Sequence, residues 1–307
     1  MVADHAEHVL FVRRIARERT QLLRHQSRHA VGTPSQDRRE ARADGPRVAL
    51  VLGSGSARGF SHIGVIKALE AARIKPDLIV GTSAGALVGA FYAAGFTGAQ
   101  MEELAIRVKD IDIVDMGTGA KRGMVMGDTL QMFVNKATRE RPIESLGIPF
   151  IAVATQLRTG EVKTFRSGDL GLAVRASCSV PGVFIPPKIN DQEYVDGGLV
   201  APVPVRIARD AGADFVIAVD VSSGPLNATP VGIYEQVMHS FDIMGRSLAK
   251  LEAEQADVVI RPDTARIPST DFNARAAFIQ IGQSTGTRFA PVVQEKLAAW
   301  RAPKKRA

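Results

Sequence analysis

Pro76-Asp-Leu-Ile-Val80, then Gly81-Thr-Ser-Ala-Gly85, then Ala86–Ala94 is the stretch that decides how the chain is read. The first run is short, apolar and bounded by Pro and Gly, which reads as a buried strand. The last is a run of small residues stopped by Gly95, which reads as a helix. Between them stands G-x-S-x-G. A nucleophilic serine must project from a sharp turn, so glycines beside it remove side chains that would collide with neighbouring chain or substrate. The helix that follows presents the positive end of its dipole to a developing negative charge. The competing reading is a glycine-rich strand–helix junction with a capping serine. The strand–turn–helix context favours a nucleophile at Ser83, with Gly81 and Gly85 as its supports.

The same alternation continues on both sides. Arg47-Val-Ala-Leu-Val-Leu52 reads as a parallel strand, followed by the loop Gly53-Ser-Gly-Ser-Ala-Arg-Gly59 and a helix from about Ser61 to Ala72. Residues 99–110 and 128–137 have amphipathic helical spacing. Pro149–Ala154, Val162–Phe165, Glu193–Val195, Phe215–Val219 and Asp257–Ile260 read as strands. Leu170–Ser177, Val205–Ala211, 233–254 and 275–300 read as helical. No repeat or linker divides residues 46–300. The expectation is a three-layer α/β/α domain with a mostly parallel central sheet.

The charge lies outside that domain. The chain of 307 residues carries a formal +7. Residues 1–47 hold ten Arg against six acidic residues, and residues 301–307 hold Arg301, Lys304, Lys305 and Arg306. Residues 48–300 are therefore close to neutral, which argues against a nucleic-acid groove built into the fold. We read 1–45 as a basic N-terminal tail, either flexible or an amphipathic helix carrying Leu10, Phe11, Val12, Ile15, Leu22 and Leu23, and 301–307 as a basic C-terminal tail. Either tail could meet an anionic membrane peripherally. The single cysteine, Cys178, excludes an internal disulfide and a Cys-rich zinc site, and reads as a small buried residue. No apolar run is long enough to span a membrane, and the N-terminus lacks a signal-peptide core, so the cytoplasm is the expected compartment.

Two further segments bear on chemistry. Gly53–Gly59 exposes successive backbone N–H groups before a helix, a nest suited to an anion or a tetrahedral oxyanion. It is a poor dinucleotide fingerprint, because Arg58 holds the third glycine position and Gly59 comes one place late. It is no P-loop, since Gly-Lys-Ser/Thr is absent. Tyr194-Val-Asp-Gly-Gly198 places an acidic residue at a strand end beside two glycines. That is either a base for Ser83 or an ordinary Asp-Gly turn. Histidine is scarce: outside the tail only His62, on the first turn of a helix, and His239, within a long one, are present. The scarcity turns attention to Asp196 and a dyad.

These segments together resemble the patatin-like phospholipases, close to the small bacterial members of the neuropathy-target-esterase type. The resemblance rests on Leu52–Gly59 with His62-Ile-Gly-Val65, on Gly81–Gly85, on Arg175-Ala-Ser-Cys-Ser-Val-Pro-Gly182 and on Val195-Asp-Gly-Gly198, in that order. It implies a serine-dependent acyl hydrolase acting on a lipid or other acyl ester, with no metal or cofactor. Ser83 would be the nucleophile and Asp196 the proton acceptor. Gly55, Ser56 and Arg58 would form the oxyanion hole, and Gly53, Gly59, Gly197 and Gly198 would support the motifs. Ser54 and Ser56 stand where relatives often carry glycine, and Gln156 where they often carry Asp. A lipid- or acyl-binding regulatory protein on the same fold is the alternative. Met116–Met126 could be a lid or an idle loop, and Val183–Pro187 could line an acyl pocket or belong to the core.

Overall fold

The computed structural model describes residues 45–300 apart from 109–114, 116–122, 124 and 223–231. The expected tails, and most of the expected lid, lie outside the described residues. The order of elements follows the sequence closely. β1 (Val48–Leu52), α1 (Phe60–Ala71), β2 (Leu78–Thr82), α2 (Ala84–Ala93), α3 (Gly98–Arg107), α4 (Asp128–Thr138) and β3 (Phe150–Gln156) form the first half. β4 (Val162–Phe165), α5 (Leu170–Ser177), β5 (Lys188–Ile189), β6 (Gln192–Asp196), α6 (Val205–Asp210), β7 (Phe215–Val219), α7 (Ile233–Ala253), β8 (Val258–Ile260) and α8 (Arg275–Ala299) complete it.

The strands form one sheet in the order β5-β6-β3-β2-β1-β7-β8, with β4 also on β3. β3-β2-β1-β7-β8 are parallel, while β4, β5 and β6 join antiparallel. This is the expected mostly parallel sheet in a three-layer α/β/α arrangement. Successive residues of the central strands supply opposite faces. Leu50, Leu52, Ile79, Phe150, Ile217 and Val219 pack under α1, α2 and α8. Ala49, Val51, Val80, Ile151, Val153 and Ala218 meet Val205, Ile207 and Ala208 of α6 and Ala249 of α7. Both faces are covered, which is why these strands read as unbroken apolar runs rather than alternating ones.

Two features position the site. The first is a handover of strands along β3. β2 pairs with its first half, up to Thr82 opposite Val153, and β6 pairs with its end, from Asp196 opposite Ala154. β4 pairs with Ala152–Thr155, overlapping both, so it must occupy the opposite edge. β6 therefore takes the edge that β2 leaves when the chain turns out of the sheet at Ser83. Asp196 arrives next to Ser83 as a consequence of register.

The second is the contact of α1 with α8. A Cβ on Gly64 would stand 2.0 Å from the Ile279 carbonyl, and one on Gly282 would stand 2.0 Å from the Ser61 carbonyl. Gly286 is packed on Ala68 and Val65 in the same way. Small residues four apart on each helix let the two backbones touch.

Candidate active site

Ser83 caps the N-terminus of α2 with φ 54° and ψ −123°. A positive φ costs a residue with a side chain on the order of 1 kcal/mol or more and persists only where neighbours enforce it. The neighbours here are specific. The Ser83 N–H donates to Ser177 Oγ at 2.8 Å, and the Ser177 hydroxyl donates in turn to the Val153 carbonyl at 2.5 Å. Gly81 and Gly85 permit the turn: a Cβ on Gly85 would lie 2.1 Å from the Leu52 carbonyl, and one on Gly81 would lie 2.5 Å from that of Gly85.

Ser83 Oγ donates to Asp196 Oδ2 at 2.5 Å, and both residues are buried. The Asp196 carboxylate accepts the Gly198 N–H at 2.7 Å through Oδ1. Its backbone is pinned as well: the Asp196 N–H donates to the Ser179 carbonyl at 2.9 Å, and Thr155 Oγ1 donates to the Asp196 carbonyl at 2.8 Å. Burial pushes the Asp196 carboxyl up to about 6, against the opposing hydrogen bonds from Ser83 and Gly198. If this carboxylate takes the serine proton, kcat/KM for a soluble ester should rise as pH increases through about 6 and be flat above it. A profile flat from pH 5 to 8 would remove Asp196 from the base role.

His62 is accounted for elsewhere. It is fully buried, and its Nε2 lies 2.8 Å from the Gly53 carbonyl, so that nitrogen carries the proton and donates. Burial pushes its pKa down to about 4, so the ring is neutral and braces the loop. His239 is half-buried on α7.

The loop from Gly53 to Arg58 distributes its N–H groups with a clear pattern. Gly53 donates to Val219, Ser54 to Pro202, Ala57 to Ser269 and Arg58 to Gly55. Those of Gly55 and Ser56 have no partner among the described residues. Ser56 has φ 51°, which accounts for glycine being favoured at such a position. Gly59 brings this turn against the start of α2, since a Cβ there would stand 2.3 Å from that of Ala84. Arg58 departs from the expected grouping. Its two terminal guanidinium nitrogens are engaged, Nη1 with the Ser222 carbonyl and Nη2 in an ion pair with Asp242 at 3.2 Å, which attaches the loop to α7, while Nε is buried without a partner among the described residues. Gly197 lies against Val153, and Gly198 against Ser54.

Several contributors had no role assigned from sequence. Ser177 and Ser179 fall inside Arg175–Gly182, a quoted motif, but their bonds to Ser83 and Asp196 are long-range. Cys178 lies between them. It is half-buried rather than buried, and burial of the sulfur followed by the Asp196 charge pushes its thiol well above the usual range. Val183–Pro186 is half-buried. Val125 and Met126, at the end of the expected lid, are held by Val183, Ile185 and Arg175.

A sequence profile described as patatin-like phospholipase matches residues 50–209, just over half of the chain. The chain belongs to the patatin-like phospholipase family. Patatin-like phospholipase domain-containing protein 6 of Mus musculus is 34% identical over 234 residues, covering 73% of this chain and 17% of the mouse protein. An uncharacterized NTE family protein of Mycobacterium tuberculosis is 37% identical over 183 residues, covering 58% of this chain and 49% of that protein. The chain thus spans about a sixth of the mouse relative and about half of the mycobacterial one. Among solved structures, the type III effector ExoU is similar with a TM-score of 0.47 and 12% identity, over 81% of this chain and 53% of that one. VipD from Legionella pneumophila gives a TM-score of 0.44 at 13% identity, over 81% and 67%. All the patatin motifs quoted from the sequence, from Leu52 to Gly198, fall within the matched span.

Proposed function

We propose that this patatin-like chain is a serine-dependent lipid acyl hydrolase working through a Ser83–Asp196 dyad. The observation that carries the reading is the 2.5 Å hydrogen bond from a strained, buried serine at a helix N-terminus to a carboxylate with a raised pKa. Asp196 takes the proton as Ser83 Oγ attacks the ester carbonyl. The Gly55 and Ser56 N–H groups hold the oxyanion, a role for which preorganised donors are worth on the order of 3 kcal/mol each. The alcohol leaves with the proton from Asp196. Water then gives its proton to Asp196 and attacks the acyl-enzyme, releasing the acid and restoring the serine.

Family membership supports a lipid substrate, and the names of the relatives include phospholipases. A fluorophosphonate probe separates turnover from binding alone. It should label Ser83 stoichiometrically and block hydrolysis of a p-nitrophenyl acyl ester. A folded protein whose Ser83 never labels would instead be the acyl-binding protein of the alternative reading. No helix among the described residues is long and apolar enough to cross a membrane.

A further inference from the structure

Helix α7 is tied to the candidate site from two directions. Asp242 takes the guanidinium of Arg58 from the oxyanion loop, and the helix packs on the Gly197–Leu199 turn that follows Asp196. Glu252 accepts the Val203 N–H, and Ala249 and Ala253 are turned to the interior. The outward surface of the helix is only partly polar. Val237, Met244 and Leu251 are 45%, 53% and 61% exposed, and Phe241 and Leu248 are half-buried. These five residues are spaced i, i+4, i+7, i+11 and i+14, which lines them up along one flank. The stripe is about 21 Å long at 1.5 Å per residue.

A second apolar group is attached to the same loop. Phe272 is 39% exposed and meets Phe60 edge-on at 6.4 Å. Ser269, three residues before it, accepts the Ala57 N–H. Both segments bonded to the loop, at Arg58 and at Ala57, thus carry exposed apolar side chains.

We propose that the Val237–Leu251 flank of α7 is a lipid-docking face, placing a bilayer surface beside the Ser83 site. The proposal rests on the reading of the substrate as a lipid and names the surface that delivers it. A stripe about 21 Å by 10 Å offers on the order of 200 Å², far below the roughly 800 Å² per partner of a stable protein interface. That small area is sufficient for a helix lying in a membrane interface, where each buried apolar side chain contributes separately. The stripe itself carries no Lys or Arg, so insertion of apolar surface rather than charge drives the contact. Neutral lipid is the appropriate probe, which also sets aside any effect of the basic tails.

The test uses the full chain and phosphatidylcholine vesicles, with binding followed by sedimentation in a Ser83→Ala background. Met244→Glu combined with Leu251→Glu should lower the vesicle partition coefficient about tenfold or more. In the chain retaining Ser83, the pair should lower hydrolysis of vesicle-embedded lipid to match, leaving a short soluble ester unaffected. Met244→Gln with Leu251→Gln provides a milder pair should the glutamates disturb folding. Unchanged binding by a folded variant overturns the proposal, as does failure of the parent chain to bind neutral vesicles. A parent dimer that the substitutions convert to monomer gives the stripe to a second copy and overturns it too. Loss of vesicle binding in a protein that hydrolyses no soluble ester would leave the docking face standing and remove the hydrolase reading.

Discussion

Asp196→Asn is expected to lower kcat on a soluble ester by on the order of 10⁴-fold and, at the same time, to make the protein more stable. The first effect follows from the 2.5 Å bond: an amide cannot take the Ser83 proton. The second follows from burial. The folded-state pKa of about 6 lies above the roughly 3.9 of an unfolded aspartate. Between those values the folded chain binds more protons than the unfolded one, so wild-type stability falls as pH rises from about 4 through about 6. The accumulated cost at pH 8 is about 2–3 kcal/mol. Asparagine does not ionise and escapes it. Thermal unfolding should show the variant more stable at pH 8 and level with the wild type near pH 4. Equal midpoints at both pH values would mean that Asp196 is not held against its solvation. Ser83→Gly accepts φ 54° freely, but it strips the Asp196 carboxylate of the Ser83 hydrogen bond, so its gain over wild type should be largest at low pH and shrink as pH rises.

The second large effect is structural. Gly282→Ala puts a methyl 2.0 Å from the Ser61 carbonyl, so backbone and not a yielding side chain must move. Separation of α1 from α8 is expected to cost about 3 kcal/mol or more, lowering the unfolding midpoint by roughly 6–12 °C. Activity should fall with it, because α1 carries both His62 and the end of the Gly53–Gly59 loop. Gly245→Ala on α7 is the matched control. A Cβ there meets nothing within 4 Å, so helix propensity alone should act and stability should rise slightly. A Gly282→Ala protein that unfolds with the wild type would show that the two helices can part freely.

What the sequence made readable is what is local. The strand–turn–helix around Ser83, the loop before α1 and the Asp-Gly-Gly at the end of β6 all announce themselves through glycine placement and apolar runs. Long-range partners leave no such trace. Nothing near Ser177 in the chain shows that its hydroxyl will accept the Ser83 N–H, 94 positions away. Arg58 shows the same limit. Its place in the Gly53–Gly59 loop suggested a role at the oxyanion, and nothing near it in the chain shows that its guanidinium pairs with Asp242, 184 residues on. The sheet was expected to be mostly parallel and is, yet the antiparallel entry of β6 that brings in Asp196 appears only once the register is known. Ser56 was placed in the loop by its neighbours, while its positive φ could be read only from the backbone.

The handover from β2 to β6 along β3 also has a bearing on how the protein is made. Ser83 and its turn belong to an early strand–helix unit that can form while the chain is still being synthesised, but Asp196 joins 113 residues later. A ribosome adding about 5–20 residues per second takes several seconds or more to bridge that gap. Throughout it, the nascent chain has Ser83 without its hydrogen-bond partner Asp196. The latent interval ends only when β6 has left the exit tunnel and docked on β3. A chain assembled in this order has both members of the proposed dyad in place only after β6 has emerged and docked, well after Asp196 itself has been added.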